Sequence, residues 1–197
     1  IFEGIEASGK STNIKIVSKY LKSIKRSFVK IREPGGSKFS EKIRNLILNK
    51  KSKLNIKTDL LLMLASRSEN LDKILKKNYK KKIILIDRFS DSTFAYQHYG
   101  MNLDFKIISQ INKFIIGKFK PNLTFLSVVR KKDMKKRLNS RKHKNKYDNF
   151  KYNFYDKVQK GYLQLSKNKK KYVILDSSKY DINDIGNKII NSLTKVI

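Results

Sequence analysis

Gly4-Ile5-Glu6-Ala7-Ser8-Gly9-Lys10-Ser11-Thr12 is the stretch on which the fold of this 197-residue chain turns. It fits the pattern G-x-x-x-x-G-K-S/T, in which glycines let the backbone turn so that its N–H groups face an anion. Lys10 brings charge to terminal phosphates, the Ser11 hydroxyl can ligate Mg²⁺, and the helix that follows adds its positive end. Context decides whether such a match carries meaning. Ile1-Phe2-Glu3 reads as the tail of a strand, and Ile14, Val17, Leu21 and Ile24 recur at helical spacing downstream. Strand, glycine turn and helix come in the order this chemistry requires. The stretch is read as a nucleotide-phosphate site.

Working outward, short apolar runs alternate with helical stretches. Phe28 to Ile31, Ile83 to Ile86, Leu123 to Val129 and Tyr172 to Leu175 read as strands. Between them, Ile107, Ile111 and Phe114-Ile115 form one helical stripe, and Ile182, Ile185, Ile189, Leu193 and Val196 form another. Such alternation predicts a parallel sheet covered on both faces, whose strands are continuously apolar, as Ile83-Ile84-Leu85-Ile86 is. No repeat or linker divides the chain, so one domain spanning 1–197 is expected. The opening residues look like a strand cut short at its start. Around 137–151 the apolar pattern fails, which predicts a polar, mobile segment.

Composition bounds the function classes. Without cysteine, disulfides, thiolate metal sites and cysteine nucleophiles are excluded, and a reducing compartment is permitted. No run of about 18 apolar residues exists to span a membrane. The net charge of +31, from 47 Lys+Arg against 16 Asp+Glu, would attract polyanions, nucleic acid among them. Yet 39 of the 47 are lysine, spread along the chain, and Ile and Asn are also abundant at 24 and 17. A/T-rich codons give the same profile by drift, so charge alone names no partner.

A second motif narrows the chemistry. Asp87-Arg88 ends the third apolar run, and ligands of open α/β sheets bind at the carboxyl ends of strands. Asp87 there can hold Mg²⁺ directly or through water, and the planar fork of Arg88 suits a second phosphate. A strand-end ion pair is the alternative.

Four blocks together resemble the thymidylate kinases, in their bacterial form, within the nucleoside-monophosphate kinases. They are the phosphate loop, Arg32-Glu33-Pro34-Gly35-Gly36, Asp87-Arg88 with Ser92 and Ala95-Tyr96-Gln97, and Pro121-Asn122-Leu123-Thr124. The resemblance runs from Ile1 to the last helix. It implies a three-layer P-loop kinase fold with a central parallel five-stranded sheet and a short lid at about 137–151. It also implies transfer of the ATP γ-phosphoryl group to dTMP in a cytoplasmic enzyme, typically a homodimer, with Mg²⁺ at Ser11 and Asp87. Gly4 to Thr12 would bind ATP. Arg88, helped by Arg44, would grip the acceptor phosphate, and Glu6 would lie near the 3′-hydroxyl. Arg67 and Thr93 would face the thymine edge, Tyr96 would crowd the 2′ position, and Tyr147 would lie near the monophosphate. Met63 stands where the family has a stacking Phe or Tyr, and Asn145-Lys146-Tyr147-Asp148 replaces a typical Asp-Arg-x-Glu.

The residues themselves allow two readings of Arg67. It shares a helical face with Leu60, Met63, Leu64 and Leu71, so it is either salt-bridged in a core or turned to a ligand. The phosphate loop carries no basic residue at Ile5, Glu6, Ala7 or Ser8. Members of the family that the chain resembles carry a basic residue either inside that loop or in the lid, so the resemblance implies that the charge for the transition state comes from the lid, at Arg137 and Arg141, beside Lys10 and Arg88. Alternatives are a kinase of another deoxynucleoside monophosphate and, favoured only by charge, a nucleic-acid-binding P-loop ATPase. No membrane partner and no specific nucleic acid is expected.

Overall fold

Ile83-Ile84-Leu85-Ile86 is apolar on both sides because both sides of its strand are covered. In the computed structural model, which describes residues 1–167 and 169–197, five parallel strands form one sheet in the order β2-β3-β1-β4-β5. They are β1 (Phe2–Gly4), β2 (Phe28–Arg32), β3 (Ile83–Asp87), β4 (Thr124–Val128) and β5 (Tyr172–Asp176). Phe2, Leu85, Phe125 and Leu175 turn to one face and pack with Val17, Leu21, Ile185 and Ile189. Their neighbours Ile86 and Leu126 turn to the other, the period-two alternation of a strand.

Helices α1 (Lys10–Ser23) and α9 (Ile182–Leu193) cover the first face and pack against each other. Helices α2 (Lys38–Leu48), α3 (Ile56–Asn70), α4 (Lys76–Asn78), α5 (Ser90–Thr93), α6 (Phe105–Ile116), α7 (Lys131–Asn139) and α8 (Tyr152–Ser166) complete the layers. A π-helical turn, Leu71–Leu75, joins α3 to α4, and another, Phe94–Gly100, prolongs α5. This is a three-layer α/β architecture, as the resemblance implies. Among the described residues, no helix is long and apolar enough to cross a membrane.

Three expectations need correction. In α6 the buried positions are Ile108 and Asn112, while Ile107 and Phe114 are exposed, Phe114 at 88%. The inward stripe runs Ile108, Ile111, Asn112, Ile115, and a polar residue interrupts it because buried Arg67 needs the Asn112 carbonyl. Ile24, Ile182 and Val196, assigned to apolar stripes, are exposed, since Ile24 and Val196 lie beyond their helices and Ile182 opens α9. The polar segment also begins later than 137, because Arg137 to Asn139 belong to α7. Within it Lys146–Asp148 forms a 3₁₀ turn, with Asn145 Oδ1 accepting from Tyr147 N at 2.8 Å and Asp148 Oδ2 accepting from Asn145 N at 2.8 Å. The two departures from the family's acids thus make a capping box.

Candidate active site

Strand order places the site. The chain leaves β1 toward β2 and β3 on one side and later reaches β4 and β5 on the other, so a crevice opens beyond the carboxyl end of β1. There a cavity of about 650 Å³ is lined by Glu6 to Asn13, Arg32 to Pro34, Arg44, Met63, Arg67, Asp87, Arg88, Tyr96, Arg137, Arg141 and Tyr147, among others. Every residue expected at the site except Gly4 and Ile5 lines it.

The loop after β1 is shaped by its glycines. Gly4 has φ +137°, and a Cβ there would lie 2.3 Å from Ser127 O, so no other residue fits. Gly9, with φ +98°, precedes α1, whose first N–H groups have no carbonyl ahead of them and face the crevice. Lys10 folds back onto this loop, donating to Gly4 O at 2.9 Å and Ile5 O at 2.7 Å. Burial, with Arg88 nearby, lowers its pKa to about 8.

Arg88 is held from several sides. It donates from Nη1 to Gly4 O at 2.9 Å and to the Tyr162 hydroxyl at 3.2 Å, and from Nη2 to Glu6 Oε1 at 2.8 Å. Its guanidinium lies 5.0 Å from the Tyr96 ring centre. Burial works against its charge, but Tyr96, Glu6, Tyr162 and Asp87 outweigh that and raise its pKa. Its backbone sits at φ +67°, a conformation costing an arginine on the order of 1–3 kcal/mol and concentrated at functional sites. Among the described residues, three of its five N–H groups are engaged and two are left for a ligand. The other Glu6 oxygen accepts from Tyr96 Oη at 2.5 Å. Arg44 reaches the same region and donates to Pro34 O at 2.6 Å.

Arg67 has the buried ion pair of the first reading and also lies on the cavity wall. It is buried and ion-paired with Glu33 Oε2 at 2.7 Å, and it donates to Thr93 Oγ1, Asn112 Oδ1 and Phe89 O. It nonetheless lines the cavity beside Thr93, with one N–H left over among the described residues. Met63 is half-buried and accepts from Gln97 Nε2 at 3.3 Å. Tyr147 donates to Asp59.

The two expected lid arginines are tied down differently. Arg137 donates to Ala7 O at 3.0 Å and to Ser177 Oγ and O, each at 2.8 Å, so it clasps the phosphate loop to the end of β5. Arg141 is half-exposed and ion-paired with the buried Asp148.

Magnesium fits the residues present. Asp87 keeps a buried carboxylate oxygen without a partner among the described residues, and Ser11 lies exposed at the head of α1. No cluster of three or more acidic or histidine side chains that could hold a metal exists among the described residues. Mg²⁺ takes one or two protein oxygens and completes its shell with phosphates and water.

Sequence reasoning missed Ser177, Tyr180, Asp181, Ile182 and Ile185, which line the β5 end of the cavity. Their position just after a parallel strand was the available signal. It also missed Glu33, quoted for the resemblance but given no role, and Asp59.

Fold and site together define a phosphate-loop nucleotide-binding protein of the α/β class. Residues 2–189 match the family model described as thymidylate kinase. The thymidylate kinase of Sulfurihydrogenibium sp. strain YO3AOP1 is 39% identical over 98% of this chain and 94% of its own length. That of Wolbachia pipientis wMel is 37% identical over 98% of each. The crystal structure of thymidylate kinase from Ehrlichia chaffeensis superposes with a TM-score of 0.78 at 34% identity, covering 98% of this chain and 96% of the other. The chain belongs to the thymidylate kinase family.

Proposed function

We propose that this chain transfers the γ-phosphoryl group of ATP to dTMP, giving dTDP and ADP. The observation that carries the reading is the placement of Arg88. It lies beside the phosphate loop, strained, charged, and with two donors free among the described residues. A second phosphate opposite Lys10 is what those donors suit. Donor and acceptor phosphates would then meet between Lys10 and Arg88. The acceptor's phosphate oxygen is the nucleophile, so no general base is required, and catalysis rests on positioning and charge.

Each group has a defined task. The Gly4–Thr12 loop cradles the donor phosphates with backbone N–H groups and Lys10. Arg88 and Arg44 align the acceptor phosphate. Glu6 and Tyr96, bonded to each other, bound the sugar, and Met63, Arg67 and Thr93 bound the base. Ser11 and Asp87 would hold Mg²⁺, which supplies charge neutralisation across the phosphates when bound. Arg137 and Arg141 close the β4–β5 side.

Three further expectations belong to this reading. The enzyme works in the cytoplasm, where ATP and deoxynucleotides meet. It needs no nucleic acid, and the lysine-rich surface is compositional. It is a homodimer, which the exposed Leu61, Ile107 and Phe114 on the packed pair α3 and α6 support. A sedimentation mass of a single 23.1 kDa chain would rule the dimer out. The activity is tested by coupled ADP release with dTMP, dUMP, dCMP, dGMP and AMP as acceptors. dTMP should lead; a clear preference for dCMP or AMP would overturn the base assignment.

A further inference from the structure

Beneath Arg88 lies a carboxylate that the mechanism above does not use. Glu3, on β1, is buried, with 1% of its surface exposed. Its Oε1 accepts from Phe89 N at 2.9 Å and Ser92 N at 3.3 Å, and its Oε2 accepts from the Ser92 hydroxyl at 2.5 Å. The Ser92 and Tyr162 hydroxyl oxygens are 2.6 Å apart, and Tyr162 Oη accepts from Arg88 Nη1 at 3.2 Å. The Ser92 proton is committed to Glu3, so Tyr162 donates to Ser92. Burial, then the negative Glu3, hold the Tyr162 pKa well above its ordinary value, which keeps that proton on. The bonds thus run from guanidinium to tyrosine to serine to the Glu3 carboxyl, whose pKa burial and then Asp91 raise while the bonds from Ser92 and Phe89 lower it. Chains of this kind polarise one another in a low-dielectric interior.

We propose that Tyr162 and Ser92, anchored by Glu3, are positioning residues that fix the direction of the Arg88 fork toward the acceptor phosphate. Without the relay, Arg88 keeps its bonds to Gly4 O and Glu6 but loses the third contact that holds its fork, the one from the α8 side. The residues lie far apart in sequence, on β1, α5 and α8, so the sheet and two helices are brought to one side chain. This inference rests on the dTMP kinase reading, because it assigns the relay to the acceptor phosphate.

The test is a double-mutant cycle read by steady-state kinetics. Tyr162→Phe should lower kcat/KM for dTMP by roughly 10- to 150-fold, the scale of losing a hydrogen bond to a charged partner in a buried setting. KM for ATP should stay within about twofold, since the donor site is not touched. In an Arg88→Lys background, which has no fork to aim, Tyr162→Phe should cost less than about twofold further. Ser92→Ala, which breaks the relay in its middle, should show the same selectivity for dTMP with a smaller loss, and it serves if Tyr162→Phe fails to fold. Additive losses in the two backgrounds, or a parallel rise in KM for ATP, would overturn the relay. A wild-type enzyme that does not phosphorylate dTMP would overturn the kinase reading, and the relay with it. An active wild type with additive losses overturns the relay alone.

Discussion

ATP binding should draw a proton onto Lys10. The ammonium is buried against two carbonyls, and burial, with Arg88 close by, lowers its pKa from 10.5 to about 8. With that value the amine is neutral in about one molecule in ten at pH 7, about half at pH 8 and about nine in ten at pH 9. Phosphate oxygens beside it favour the charged form, so the complex carries a full positive charge there. Binding at pH 8 should therefore take up about half a proton per site, rising toward one at pH 9. Calorimetric titration in buffers of differing ionisation enthalpy reads this number directly. Lys10→Arg carries a charge that does not titrate in this range and should abolish the uptake. No uptake in the wild type at pH 8, or equal uptake in Lys10→Arg, refutes the reasoning. The same shift has a consequence for folding. The unfolded chain holds this proton up to its ordinary pKa of 10.5, so it binds more protons than the folded chain above about pH 8. The penalty of burying the charge is then relieved as pH rises through that window.

Other substitutions probe the remaining walls. Arg88→Lys replaces the fork with a point charge and loses the contacts to Gly4 O, Tyr162 and Glu6, so kcat/KM for dTMP should fall on the order of 100-fold; near-normal kinetics would make Arg88 structural. Tyr96→Ala opens space beside Glu6, and discrimination against ribonucleoside monophosphates should relax; unchanged discrimination in a folded variant moves that role elsewhere. Arg141→Ala should lower kcat by roughly 100-fold while dTMP affinity, read by calorimetry, changes little. A variant with near-wild-type kcat would confine Arg141 to its pairing with Asp148.

The fold was legible because its signals are local and redundant. The Gly4–Thr12 loop fits only between a strand and a helix, and Ile83-Ile84-Leu85-Ile86 fits only a strand buried on both faces. The site was legible where motifs carried it, at Lys10, Asp87 and Arg88. What escaped was set by tertiary demand. Asn112 occupies a core position because Arg67 requires an acceptor, and no periodicity announces that. Arg137 reads in sequence as part of a polar run, yet its helix turns it into a clasp between Ala7 and Ser177, residues 130 and 40 positions away. Ser177 and the start of α9 line the cavity without any motif, because a parallel strand delivers them to the crevice whatever their identity. Arg67 could not be decided from its stripe, since its partner Glu33 lies 34 residues upstream.

The central claim is a transfer between two nucleotides, and phosphorus NMR observes it directly. With ATP, Mg²⁺ and dTMP, the γ-phosphorus signal should disappear as the β-phosphorus signals of ADP and dTDP grow in equal amounts, with no inorganic phosphate released. Inorganic phosphate appearing at the same rate with or without dTMP, and no dTDP, would contradict the account and make the protein an ATPase.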